Sequence, residues 1–244
     1  MGNTTWWKVI LLIVVAGGWL LAAPAMAADD GGAGDREISL WETIASGGVI
    51  GWLIIAMSFV AVALIAEHFF TIRRERILPG ELEKKLADSL DQGLHDQARG
   101  LCGQDGSFLA HVIDAGLARR GGMFGFFDMQ SAMQEVSERE VSRLYRKLEY
   151  LSFIAATAPM LGLLGTVTGM IRSFNKIAVT EGMAKPSELA GGISEALVTT
   201  CMGLIVAIPV MFFVSQFRNR IDSYIAEAET VVERLMGRFR NPNP

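Results

Sequence analysis

Glu195, Thr199 and Thr200 stand near the head of a strongly apolar stretch, ISEALVTTCMGLIVAIPVMFFV at residues 193–214. An ionised carboxylate at the centre of a membrane helix costs on the order of 2.5–3.5 kcal/mol on insertion scales, so such residues turn to a protein interior or a water-filled path. Glu195 follows Gly191-Gly192 and a polar stretch, so it either serves such a path or is simply hydrated at the membrane surface. Thr199 lies one helical turn further on, on nearly the same face, and Thr200 is rotated by one more step. A threonine hydroxyl in a helix commonly bonds its own i−4 carbonyl, but hydroxyls one turn below a glutamate can also begin a polar stripe. Pro209, deeper in the run, leaves a carbonyl without its usual donor and favours a kink, although membrane helices tolerate proline.

A second stretch, LSFIAATAPMLGLLGTVTGMI at 151–171, has the same character. Pro159 and Thr166 are seven residues apart, about two turns, and share a face. Gly162, Gly165 and Gly169 lie near a common side, and the Gly165-x-x-x-Gly169 spacing lets another helix approach closely. Small-residue seams of this kind mostly serve packing. Thr166, a polar residue beside these glycines, is a candidate to face a pore.

The elements that carry these residues follow from where the charges lie. The chain has 244 residues, 51% of them hydrophobic, and the excess is clustered. Uncharged runs extend from Thr43 to Ala66, from Tyr150 to Ile171 and from Ala196 to Phe217, each about the 20 residues that a helix needs to cross a bilayer. An earlier run is different: Lys8, an apolar Val9–Leu21 and the small-x-small Ala25-Met26-Ala27 match a secretory signal peptide. The expected organisation is a signal peptide at 1–27 and a periplasmic segment at 28–46. Membrane helices follow at 47–70, 150–174 and 191–217. A cytoplasmic helical region occupies 71–149, a periplasmic loop 175–190 and a cytoplasmic helix and tail 218–244.

Arg73, Arg74 and Arg76, then Arg143, Arg146 and Lys147, then Arg218 and Arg220 put the positive-inside bias on 71–149 and on the C-terminal tail. The mature N-terminus is then exported, as a leader would require. In the 71–149 region, LPGELEKKLADSLDQGL reads as a helix with Leu82, Leu86 and Leu90 on one face, opened by Pro79-Gly80 and closed by Gly93. SFLAHVIDAGLARR reads as a second helix with Phe108, Leu109 and Val112 to one side, broken at Gly121-Gly122. From Asp128 the pattern continues without a stop to about residue 174, and the third membrane run continues past Arg220 through Ile225 and Val232 to Leu235. The fold class is therefore all-α membrane protein, with three transmembrane helices, the second and third extended into the cytoplasm.

Several chemistries find no support. His95, Cys102 and His111 lack convincing zinc-ligand spacing and a fourth ligand, so no metal or other cofactor is expected. Cys102 and Cys201 could not meet on this topology, so no intramolecular disulfide is expected. No GxxxxGK[ST] phosphate loop is present and no Ser, His and acid pattern marks a hydrolase. The chain is read as no enzyme. The bases at 139–147 alternate with Glu138, Glu140 and Glu149, which is a solvated helix face and no nucleic-acid patch.

Taken together, APMLGLLGTVTGMIRSF and ISEALVTTCMGLIVAIPV resemble the ExbB/TolQ/MotA proton-channel family, closest to its ExbB/TolQ branch. The resemblance is specific over about residues 150–217 and one of layout over 45–150; residues 1–40 lie outside it. The flagellar-motor branch has four membrane helices, against three here. The resemblance implies a homo-oligomeric ring, a pentamer, whose second and third membrane helices line a pore. It implies a single-span partner resembling ExbD or TolR, which carries a membrane aspartate, and protons that drive work on a periplasmic or outer-membrane load from the bacterial inner membrane. Matched to the family motifs, the pore-facing positions fall on Thr166, Glu195 and Thr200, with Thr199 an adjacent hydroxyl, and the motif prolines on Pro159 and Pro209. The rival reading is a non-conducting oligomeric membrane scaffold, whose polar residues only bond helices together. A substrate transporter would want a cavity of its own and repeated halves, and three unlike spans do not supply them.

Overall fold

A computed structural model describes residues 48–120, 125–180 and 185–240. The expected signal peptide and the segment at 28–46 lie outside the described residues. All regular structure among the described residues is helical: α1 Gly48–Thr71, α2 Arg74–Ile77, α3 Gly80–Asp91, α4 His95–Gln104, α5 Phe108–Ala118, α6 Phe126–Val179 and α7 Pro186–Arg240. Three of these, α1, α6 and α7, are long and apolar enough to cross a membrane. The protein is thus an all-α membrane protein with three candidate spans. At 54 and 55 residues, α6 and α7 have more than twice the ~20 residues a bilayer requires, so each continues beyond a span.

The ends of these helices have local causes. Proline at the first position of α7 needs no intrahelical N–H partner and its fixed φ suits a helix start. The stretch expected as a loop at 175–190 therefore contributes residues to both long helices. Gly93, with φ +68°, follows the last turn of α3 and supplies the left-handed residue that ends helices. Pro159 and Pro209 both lie inside continuous helices.

The described residues divide into two compact units, one formed by those of 60–154 with 210–240 and the other by 48–59 with those of 155–209. In the first, α3, α4 and α5 pack on the polar-run portions of α6 and α7. Leu82, Leu86 and Leu90 are buried as their spacing of four implied, with Leu109, Val112 and Ile113 of α5, Met133 of α6, and Val231 and Leu235 of α7. Gly116 lets α5 approach α6, since a Cβ there would lie 2.7 Å from the Met133 sulfur. Helix α4 was not anticipated from the sequence. It is mostly polar and held by two residues four apart, Ala98 and Cys102, both in the core. Burial, with smaller contributions from Asp114 and Asp105, pushes the Cys102 thiol up to about 12.

Ion pairs tie the C-terminal half of α7 to α2 and α3: Arg74 to Glu227 at 2.5 Å, Glu83 to Arg234 at 3.2 Å, and Asp91 to Arg238. At the far end of α1, His68 Nδ1 donates to the Leu64 carbonyl at 2.6 Å, and its ring meets Phe217, with Phe69 set edge-on to the same phenylalanine.

Candidate functional site

The second unit holds the residues singled out above, and small side chains build it. Along α6, Ala158, Gly162, Gly165, Gly169 and Ser173 recur at intervals of three and four and are buried. Along α7, Gly192, Ala196, Thr199 and Gly203 recur in the same way. The two rows face each other antiparallel. A Cβ on Gly169 would lie 2.9 Å from the Gly192 carbonyl oxygen, one on Gly162 would lie 3.0 Å from Thr200 Cα, and one on Gly203 would lie 2.6 Å from the Ala158 carbonyl oxygen. Gly165 meets the Thr199 side chain, again with no room for a Cβ. Backbone contact this close is what small residues allow in an apolar medium, where helices associate by packing and hydrogen bonds rather than by hydrophobic expulsion.

The seam sorts the candidate residues. Thr199 is only 1% exposed, and its hydroxyl donates to the Ala196 carbonyl at 2.8 Å within its own helix. Its side chain lies in the seam against Gly165. Thr166 follows Gly165 and Thr200 follows Thr199, each by one residue. In antiparallel helices a step of about 100° past the contact line turns both side chains to the same flank. Both are half-buried there. Thr166 Oγ1 donates to the Leu163 carbonyl at 2.6 Å, and Thr200 Oγ1 donates across the seam to the Gly162 carbonyl at 3.1 Å. Pro159, two turns before Thr166, shares this flank and is also half-buried. It deprives the Ala155 carbonyl of its helical donor, as Pro209 does for Ile205 on α7.

Glu195 goes the other way. It precedes Ala196 and Arg172 precedes Ser173, so both turn to the flank opposite the hydroxyls. They meet as an ion pair, Arg172 Nη1 to Glu195 Oε1 at 2.7 Å, with the glutamate side chain 22% and the arginine side chain 59% exposed. The first residue of α1 joins them: a Cβ on Gly48 would lie 3.0 Å from the same Glu195 oxygen, and Gly48 has φ +57°. The structure thus brings Thr166 and Thr200 together on one flank, places Thr199 in the seam and sets Glu195 apart. The pairing of Arg172 with Glu195 went unremarked in the sequence. The available signal was positional. Arg172 is the first charge after one uncharged run and Glu195 the last before the next, so a hairpin of the two runs sets them at one level.

The MotA/TolQ/ExbB proton channel family model matches residues 107–230. That covers half of the chain and includes the whole seam. The chain belongs to this family. An ExbB-like biopolymer transport protein of Synechocystis is 31% identical over 206 residues, covering 80% of this chain and 94% of that protein. The biopolymer transport protein ExbB of Salmonella typhimurium is 32% identical over 176 residues, 69% of this chain and 70% of that one. The Tol-Pal system protein TolQ of Pseudomonas aeruginosa is 34% identical over 104 residues, 43% and 45% of the two chains. These relatives set the protein in the ExbB/TolQ branch of the family.

Proposed function

We propose that this chain is the proton-channel subunit of an ion-driven motor in the bacterial inner membrane. It forms a ring, a pentamer, around a single-span ExbD/TolR-like partner whose membrane aspartate exchanges protons with the pore. The proton motive force becomes mechanical work on a periplasmic or outer-membrane load, such as energised outer-membrane transport. Family membership and the ExbB and TolQ relatives support the channel and the partner. The charge pattern supports an exported N-terminus and a cytoplasmic 71–149 region and C-terminus.

The observation that carries the assignment of the ion path is the shared flank of Thr166 and Thr200. A hydroxyl donates to a carboxylate and accepts from a carboxylic acid, so it serves a partner aspartate in both protonation states. A fixed cation would serve only one. Each hydroxyl is parked on a backbone carbonyl, Leu163 for Thr166 and Gly162 for Thr200, and rotates to the partner carboxylate when that group is charged. The Gly162–Gly169 seam keeps the two hydroxyls at fixed spacing. One elementary charge crossing about 100 mV releases roughly 2.3 kcal/mol, enough to bias a conformational step without a nucleotide site.

The burial of Thr199 favours the scaffold reading for that residue alone. Reconstitution of the complex with its single-span partner in liposomes, under an imposed pH gradient and potential, tests the proposal as a whole. Proton uptake is expected; a verified complex that carries none returns the scaffold reading.

A further inference from the structure

Glu195 has three features that do not suit a proton carrier. Its Oε1 is engaged by Arg172 at 2.7 Å. A guanidinium stays charged at every physiological pH, so the partner does not leave by losing a proton. The same oxygen lies against the first turn of α1, where Gly48 adopts φ +57° and a Cβ would come within 3.0 Å of it. A left-handed residue under a carboxylate, at a helix start whose dipole favours negative charge, is an arrangement that holds a carboxylate in one place. Finally, Glu195 and Arg172 turn to the flank opposite Thr166 and Thr200.

We infer that Arg172 and Glu195 form a fixed-charge clamp that joins α6, α7 and the start of α1 at one end of the seam. Glu195 is then a positioning residue and carries no proton. The clamp works on the ion path through register. A slip along the Gly169–Gly192 contact moves Thr166 relative to Thr200, and the ion pair opposes that slip at the end of the seam where Gly169 and Ser173 meet Gly192 and Ala196. The flux consequence of this inference rests on the channel reading above; the clamp itself does not.

A double-mutant cycle separates the clamp from a proton relay. The full chain with its single-span partner is prepared as parent, Arg172→Met, Glu195→Gln and the double variant, and each is measured for thermal stability in detergent and for proton flux in liposomes. Removing Arg172 leaves a carboxylate that is only 22% exposed without its partner, whereas removing both charges together is far milder. The clamp predicts that each single variant melts earlier and conducts about tenfold less, the scale of a lost charge-assisted hydrogen bond. The double variant recovers toward the parent in both readouts. A double variant that assembles and melts like the parent but stays non-conducting makes Glu195 a proton carrier and overturns the inference. Additive losses of stability overturn it too. A parent complex without flux defeats the channel reading, and the stability cycle then decides the clamp alone.

Discussion

The Thr200 hydroxyl donates to the Gly162 carbonyl oxygen at 3.1 Å, one helix to the next. The bond exists because Gly162 brings the α6 backbone to within side-chain reach of α7. The position that carries a candidate ion-path hydroxyl is therefore set by a residue without a side chain. Function on this flank depends on packing in the seam, and the predictions start there.

Gly165→Ala should destabilise the assembled protein by about 1–3 kcal/mol, the usual cost of overpacking, because the new methyl meets the Thr199 side chain. Gly191→Ala is the matched control. A Cβ there meets nothing within 4 Å, and helix propensity should raise stability by up to about 1 kcal/mol. Thermal unfolding in detergent reads both. Equal behaviour of the two variants would remove the close approach from the account.

The Arg74–Glu227 pair makes a pH prediction. The hydrogen bond from Arg74 holds the Glu227 carboxyl below its ordinary value, and the same bond raises Arg74. These are two views of one interaction and count once. A depressed carboxylate contributes stability above its unfolded value, near 4.5, and loses it as pH falls through the lower folded value. Both side chains are more than a third exposed, so Glu227→Ala should cost no more than about 1 kcal/mol at neutral pH. The cost should vanish in strongly acid buffer, as read by unfolding curves of parent and variant.

Cys102 should resist alkylation. Its thiol is pushed up to about 12 by burial, so at pH 8 the thiolate that reacts is scarce, and the side chain is 3% exposed. A maleimide probe should label it only after denaturant unfolds the α3–α5 layer. Prompt labelling of Cys102 in a native Cys201→Ser variant, which removes the exposed second thiol, would mean that this layer opens readily.

Much of this architecture was legible from simple features. Uncharged runs that continue without a breaker gave α6 and α7 their unusual length, and Leu82, Leu86 and Leu90 marked α3 because one apolar face recurs every turn. Helix α4 escaped because its only buried anchors, Ala98 and Cys102, sit among polar residues; tertiary cover stabilises it, and no pattern announces that. The site was legible in part. The glycine spacing of the second run foretold a close helix contact. Helical spacing alone does not tell Thr199 from Thr200, since adjacent residues differ by a rotation whose meaning depends on where the partner helix lies; only the family motif singled out Thr200. The Arg172–Glu195 pair escaped for a related reason. It joins residues 23 apart through a register that Gly169 and Gly192 set by backbone contact, and a single chain read in order carries no register.

The most direct measurement is proton flux into liposomes holding the complex with its single-span partner, for Thr166→Val, Thr200→Val and Thr199→Val beside the parent. Each replacement keeps the volume and removes the hydroxyl, and each complex is first shown to assemble. The account predicts that flux falls in the Thr166 and Thr200 variants, by about tenfold or more if each hydroxyl bonds a charged partner group, and stays near the parent in the Thr199 variant, whose hydroxyl is sealed in the seam. Flux unchanged by either of the first two, in complexes that assemble, would take the hydroxyl flank out of the ion path and contradict the account.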